Sequence, residues 1–323
     1  VNSAGDTLYV AAFGSAKIGV FDVSDIEDGN FESNFDPTAE SINYIDTGGG
    51  PTGMALHEGF QRLYVMTRFG NQVEVINPTN GNTLDTFPLH NPEPQHVVDG
   101  RPFLYDAQRT SGNGEASCSS CHIFGDMDHL AWDLGNPDDH TTSNVQPHQV
   151  FIPLGGSTAN VFHPMKGPMT TQTLRGMATH GSLHWRGDRV DGFFTPNGAG
   201  SCNEPSGAAC SEDLGFMNFI VAFEGLVGLQ GPVNTPSSIT QAEMQQFTDF
   251  AMEIMLPPNP VRPLTNTLSG DALQGENLFD GPTTDTVSTC EGCHRLDPSQ
   301  GFFGTGGGKT FESEPQFMKV AHM

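Results

Sequence analysis

The stretch Leu63-Tyr64-Val65-Met66-Thr67-Arg68-Phe69-Gly70, continued by Val73-Glu74-Val75-Ile76-Asn77, repeats in kind a stretch 55 residues earlier. That earlier one reads Leu8-Tyr9-Val10-Ala11-Ala12-Phe13-Gly14, continued by Ile18-Gly19-Val20-Phe21-Asp22. Each half is a β-rich run of strand length, and a Phe-Gly turn segment divides the two halves. The unit that repeats is therefore a β-hairpin, and residues 1 to about 90 are expected to be all β.

Between the two hairpins lies Gly48-Gly49-Gly50-Pro51-Thr52-Gly53-Met54-Ala55-Leu56. This segment resembles the approach to the inner strand of a YVTN-type β-propeller repeat. Such repeats stack radially, and a closed propeller needs at least four blades, whereas the sequence here accounts for roughly two. The resemblance thus implies a partial propeller, completed by sequence of the parent polypeptide outside this chain or by another chain.

Beyond residue 97 the texture changes to Gly, Pro, Asn and Asp with sparse periodicity, as expected where a large cofactor supplies much of the core. One helix stands out over 240–256. It opens with a Thr-x-x-Glu capping box, Thr240 and Glu243, and carries Met244, Phe247, Ala251, Ile254 and Met255 on one face before Pro257-Pro258 ends it. Methionines on such a stripe are core residues more often than metal ligands.

The same region holds Cys118-Ser119-Ser120-Cys121-His122 and Cys290-Glu291-Gly292-Cys293-His294. Cys-x-x-Cys-His is the spacing of c-type haem attachment: two thiols add across the haem vinyl groups and the adjacent imidazole ligates the iron. Zinc knuckles and thioredoxin-like dithiols also use Cys-x-x-Cys, but neither calls for the His that follows both pairs here. Gly100-Arg101-Pro102-Phe103-Leu104-Tyr105-Asp106 precedes the first motif, and Gly275-Glu276-Asn277-Leu278-Phe279-Asp280 precedes the second at nearly the same distance. This internal repeat implies two similar lobes with one haem each.

Among 323 residues, 13 Lys and Arg face 38 Asp and Glu, a formal net charge of -25. That balance excludes nucleic acid and anionic membrane surfaces as natural partners and favours a basic electron-transfer partner, although salt adaptation or solubility gives the same composition. No run of 18 apolar residues is present, so no membrane span is expected. The start at Val1, strand-like by Leu8, suggests a mature or trimmed product, and covalent haem attachment implies a periplasmic or extracellular location. Cys202 and Cys210 sit in a loop-like stretch where a short disulfide is easy to close in an oxidising compartment; two free thiols are the other reading.

Two haem motifs about 170 residues apart, each behind a Gly-containing segment ending in Asp, resemble the bacterial di-haem cytochrome c peroxidases and their relatives that mature amine dehydrogenases. Lys166-Gly167-Pro168-Met169-Thr170-Thr171-Gln172-Thr173-Leu174-Arg175-Gly176 looks like the Lys-Gly-Pro stretch of those peroxidases, and His184-Trp185-Arg186-Gly187-Asp188-Arg189 like their Phe-Trp-Asp-Gly-Arg. The resemblance covers residues 97–323. It implies two covalently bound haems c, with His122 the proximal ligand of a peroxide-reacting haem and His294 that of an electron-entry haem.

It further implies that His163, just before the Lys-Gly-Pro element, is the displaceable sixth ligand of the first haem, with His129, His180 and His184 as rivals. Trp185 corresponds to the tryptophan between the haems, and Trp132 to packing around the first. A distal acid is implied at Glu224, the apolar-flanked carboxylate in Phe219-Ile220-Val221-Ala222-Phe223-Glu224-Gly225, where desolvation would raise a carboxyl pKa into a useful range. The second haem is expected to take a Met ligand. Met318, Met323 and His322 are candidates, and a ligand beyond Met323 is favoured. The family also leads one to expect calcium between the lobes.

The expected architecture is multidomain. A partial β-propeller-like all-β segment occupies 1–96, followed by two mainly α-helical, loop-rich c-type cytochrome lobes, 97–265 with the peroxidatic haem and 266–323 with the electron-transfer haem. The expected function is a peroxidase-like oxidoreductase that reduces hydrogen peroxide with electrons from a small cytochrome or cupredoxin. A non-enzymatic electron carrier in a larger assembly, or a di-haem oxidase of a protein or organic substrate, fits the same motifs.

Overall fold

The computed structural model describes residues 1–27, 36, 38–133, 142–143, 161–162, 168–179, 183, 212–230, 238–283 and 289–293. The alternating apolar runs form two antiparallel sheets. β1 (Thr7–Ala12) and β2 (Lys17–Asp22) make the first hairpin; a short helix α1 (Ser24–Glu27) follows, and β3 (Ser41–Asp46) adds to β2. β4 (Pro51–His57), β5 (Arg62–Thr67), β6 (Gln72–Ile76) and β7 (Thr83–Pro88) form the second sheet, each strand pairing with the next.

The two sequence echoes are therefore the hairpins β1/β2 and β5/β6, and Pro51 to Leu56 lies in β4. Strand alternation decides the core. In β5, Leu63, Val65 and Thr67 are buried while Tyr64 and Met66 face out. Ile18, Val20, Ile45, Leu63, Val65 and Ile76 form one cluster, each contributing roughly 1.5–3 kcal/mol on burial.

Two compact units are each assembled from two stretches of chain. Unit one comprises 1–120 and 221–247, and unit two 121–220 and 248–323. In unit one, helices α2 (Gln95–Tyr105) and α3 (Ala107–Thr110) close onto the sheets: Ala107 N donates to Gly14 O at 2.7 Å, and Tyr105 meets Phe13 edge-on at 5.7 Å. Phe103 of α2 is fully buried against Phe247, 6.0 Å between ring centres.

Unit two contains β8 (Ala131–Asp133), β9 (Thr142–Ser143), β10 (Val161–Phe162) and β11 (Pro168–Thr170), paired as two-stranded ribbons β8 with β11 and β9 with β10. Its further helices are α4 (Glu212–Met217), α7 (Gly270–Asp280) and α8 (Cys290–Cys293); α5 (Ile220–Gly225) and α6 (Gln241–Met252) contribute to both units.

This corrects the expectation of two mainly α-helical cytochrome lobes after the β segment. Beyond the seven-stranded region the described residues form short helices of four to twelve residues interleaved with β-ribbons. The Cys-x-x-Cys-His motifs that suggested the lobes specify only a short local turn or helix. Among the described residues between them, pairing of β8 with β11 and of β9 with β10 supplies backbone partners. Among the described residues no helix is long and apolar enough to cross a membrane.

α6 begins where the capping box put it. Thr240 N donates to Glu243 Oε2 at 2.9 Å while Glu243 N donates to Thr240 Oγ1 at 3.2 Å. Met244, Phe247 and Ala251 are buried as the stripe requires, but the helix stops at Met252, short of Leu256, and Met255 is 67 % exposed.

Candidate functional site

The first Cys-x-x-Cys-His motif begins in a 3-10 turn, Cys118–Ser120, held by Ser117: its carbonyl accepts from Ser120 N at 2.9 Å and its own N–H donates to Ser120 Oγ at 3.1 Å. After His122 the chain reverses through Phe124 and Gly125, both at positive φ. Gly125 tolerates this conformation at little cost; Phe124, at φ 52, does so only because residues 173–175 grip the turn.

That grip has four parts. Leu174 N donates to Gly125 O at 2.9 Å, Thr173 Oγ1 to the same oxygen at 3.4 Å, Arg175 Nη2 to Phe124 O at 3.2 Å, and Arg175 Nη1 pairs with Asp126 Oδ2 at 2.8 Å. One step earlier, the backbone oxygen of Gln172 lies 2.7 Å from His122 Nδ1. The ribbon of β8 with β11 extends the register, setting Met169 opposite Trp132. The Lys-Gly-Pro element noticed in the sequence is thus laid alongside the first motif from Pro168 to Arg175.

A carbonyl can only accept, so His122 Nδ1 carries the hydrogen of this bond, the kind of outer contact that also orients metal-ligating imidazoles. Exposed apolar side chains follow and neighbour the motif in sequence. Phe124 is 78 % exposed, and Ile123, Leu130 and Trp132 are also exposed. Gln172 Nε2 is buried and makes no hydrogen bond among the described residues.

Burial pushes the Cys121 thiol up, and the nearby Asp128 carboxylate adds to this, whereas redox-active dithiols need a lowered thiol. Asp128 itself is held below its ordinary value: burial opposes this, and hydrogen bonds from Leu130, Trp132 and Thr171 outweigh burial. Trp132 Nε1 donates to Asp128 Oδ2 at 2.8 Å.

At the second motif, Cys290–Cys293 forms α8, with Cys290 half-buried. The segments that precede the two motifs, alike in sequence, both fold as eleven-residue helices, α2 and α7.

The other predicted residues divide as follows. Glu224 is exposed on α5, so the desolvated setting anticipated for it is not found. His129 is exposed at φ 59. His163, His180, His184, Trp185, Cys202, Cys210, His294, Met318, His322 and Met323 lie outside the described residues. Sequence reasoning missed Gln172, Asp126, Asp128 and Arg175; Gln172 and Arg175 stood inside the quoted Lys-Gly-Pro stretch, but their spacing alone gave no sign that they reach the motif.

No family model and no curated protein matches this chain. Among solved structures, a Kuenenia stuttgartiensis hydrazine synthase, pressurised with 20 bar xenon, is similar over 67 % of this chain at 21 % identity and a TM-score of 0.37. The chain spans 54 % of that structure's length.

Proposed function

We propose that this chain is a di-haem c-type cytochrome acting as a peroxidase-like oxidoreductase in the periplasm or outside the cell. Cys118, Cys121 and His122 would hold one haem, and Cys290, Cys293 and His294 the other. The observation that carries the reading is the His122 Nδ1–H donated to Gln172 O at 2.7 Å, an outer contact of the kind that would orient the ring if it held a haem iron. When bound, a haem there supplies an iron centre able to reduce peroxide, H2O2 + 2 e⁻ + 2 H⁺ → 2 H2O.

The chain's own residues have defined tasks in this reading. Gln172 O accepts from His122 Nδ1 and would hold the ring in orientation for a haem iron. Asp126 and Arg175 lock the turn that aims it. By resemblance to the di-haem peroxidases, His163 would be a second, removable ligand and Trp185 would relay electrons between the two haems. The net charge of -25 favours a basic donor protein, a small cytochrome or cupredoxin.

A second reading, electron transfer without catalysis, draws on the exposure of Glu224, because an exposed carboxylate is poorly suited to move the proton between peroxide oxygens. EPR of the half-reduced protein with added peroxide separates the two. A high-spin first haem with rapid turnover is expected; two persistently low-spin haems and no turnover would leave the carrier reading.

A further inference from the structure

α7 has no buried residue, although an eleven-residue helix is marginal in water without a packed face. Between α7 and the segment before it, residues 259–269, lies an open depression of about 1110 Å³. Small-molecule sites run to roughly 300–1,000 Å³ and enclose their ligand. This space is larger and open along its length, as a groove that receives a chain segment is.

One wall of the groove is a single helix face. Ala272, Gly275, Glu276, Phe279 and Asp280 of α7 stand at i, i+3, i+4, i+7 and i+8. The ridge is small-sided at its middle, where a Cβ placed on Gly275 would meet nothing within 4 Å. On the facing wall Val261 is 89 % exposed, with Leu268 beside it in the lining. Glu276, Asp280 and Glu291 give the groove three carboxylates against one cation, Arg262, among the described lining residues. A second copy of this chain, at a net charge of -25, would bring like charge to that rim. A basic segment with an apolar stripe satisfies both the ridge and the rim.

We propose that this groove is a docking surface for an amphipathic, basic helix of a partner protein. Its apolar stripe lies against Ala272, Gly275, Phe279 and Val261, and its cations against Glu276, Asp280 and Glu291. Ala272 and Gly275 leave room for close approach, and the carboxylates steer the encounter. The surface is defined by 259–280 and Glu291 alone, so it stands apart from the redox reading above.

Fluorescence anisotropy with two labelled synthetic peptides, each titrated with the full chain, tests the assignment. One is a leucine-lysine helix with leucines at i, i+3, i+4 and i+7; the other carries the same lysines with serine in place of leucine. The leucine-lysine peptide should bind the more tightly, and added salt should weaken it. Gly275→Leu fills open space and favours the helix, so it should remove the difference between the peptides without unfolding α7. Glu276→Gln and Asp280→Asn should each weaken binding about two- to fivefold, and Arg262→Gln should tighten it. Asp85→Asn, on β7 of unit one, should leave it unchanged. Equal binding of the two peptides, a difference that survives Gly275→Leu, or an equal effect of Asp85→Asn would overturn the groove and leave only attraction to the overall charge. Self-association of the unaltered chain in sedimentation, lost in Gly275→Leu, would overturn the basic partner in favour of a second copy.

Discussion

His122 Nδ1 and the backbone oxygen of Gln172 lie 2.7 Å apart across 50 residues of sequence. The contact is made by main chain, so no side-chain substitution at 172 deletes it, and its geometry depends on what clamps 172–175 to 124–126. Arg175 is the central clamp, through Asp126 at 2.8 Å and Phe124 O at 3.2 Å. Arg175→Ala should cost about 0.5–1 kcal/mol, because the pair is partly exposed and solvent screens it. With the proposed haem bound at His122, it should also raise that haem's midpoint, since a weaker Nδ1–H···O bond would make the imidazole a poorer donor to iron. Chemical denaturation and potentiometry read the two effects; a stability loss with an unmoved midpoint would break the link from clamp to ligand.

Glu93 is gripped by two guanidiniums. Arg101 donates to both of its oxygens, and Arg68 does so at 2.7 and 2.8 Å. Hydrogen bonds from Arg101 first, then Arg68, hold its pKa at about 2 against an ordinary 4.5. Because the folded value is the lower, the network contributes stability above pH 4.5 and loses it as pH falls toward about 2. Glu93→Gln should cost about 1–2 kcal/mol at pH 7 after allowance for screening, and the gap to the unaltered protein should close on acidification through that window. Urea unfolding at a series of pH values checks both sign and window.

The hairpins were legible because period-2 burial is written locally: Leu63, Val65 and Thr67 enter the core and Tyr64 and Met66 do not. The start of α6 was equally local, since Thr240 and Glu243 satisfy each other's backbone donors. Its end was not. Ile254 O accepts from Gly176 N at 2.6 Å, a partner 78 positions away that takes the chain out of the helix before the prolines do. The site shows the same division. Cys118, Cys121 and His122 declare themselves by spacing, while the acceptor for His122 comes from a loop whose approach is fixed by the ribbon of Trp132 with Met169.

Thr240→Ala removes the Oγ1 that accepts from Glu243 N, and leaves Glu243 free to swing toward Arg109, whose Nη2 already lies 3.2 Å from Glu243 Oε1. The expected loss is about 1 kcal/mol, as for other N-caps. Thr240→Ser keeps the hydroxyl and should recover most of it. Equal destabilisation by Ala and Ser in thermal melts would mean that the methyl packing, not the cap, matters.

Gly48 is where the Gly-rich stretch before β4 carries its structural requirement. Its N–H donates to Glu74 Oε1 at 2.8 Å, and Gln72 Nε2 donates to the same oxygen at 3.0 Å, supporting a carboxylate that is 3 % exposed. A Cβ at Gly48 would stand 2.3 Å from that oxygen and 2.9 Å from Gln72 Nε2. Gly48→Ala must therefore drive Glu74 from its donors, leaving a buried carboxylate short of partners at a cost of about 1–3 kcal/mol or more. Glu74→Gln removes the charge but keeps the shape, so Gly48→Ala should destabilise less in that background than alone. A double-mutant cycle measured by denaturation gives the coupling; simple additivity would show that crowding at Gly48 acts elsewhere.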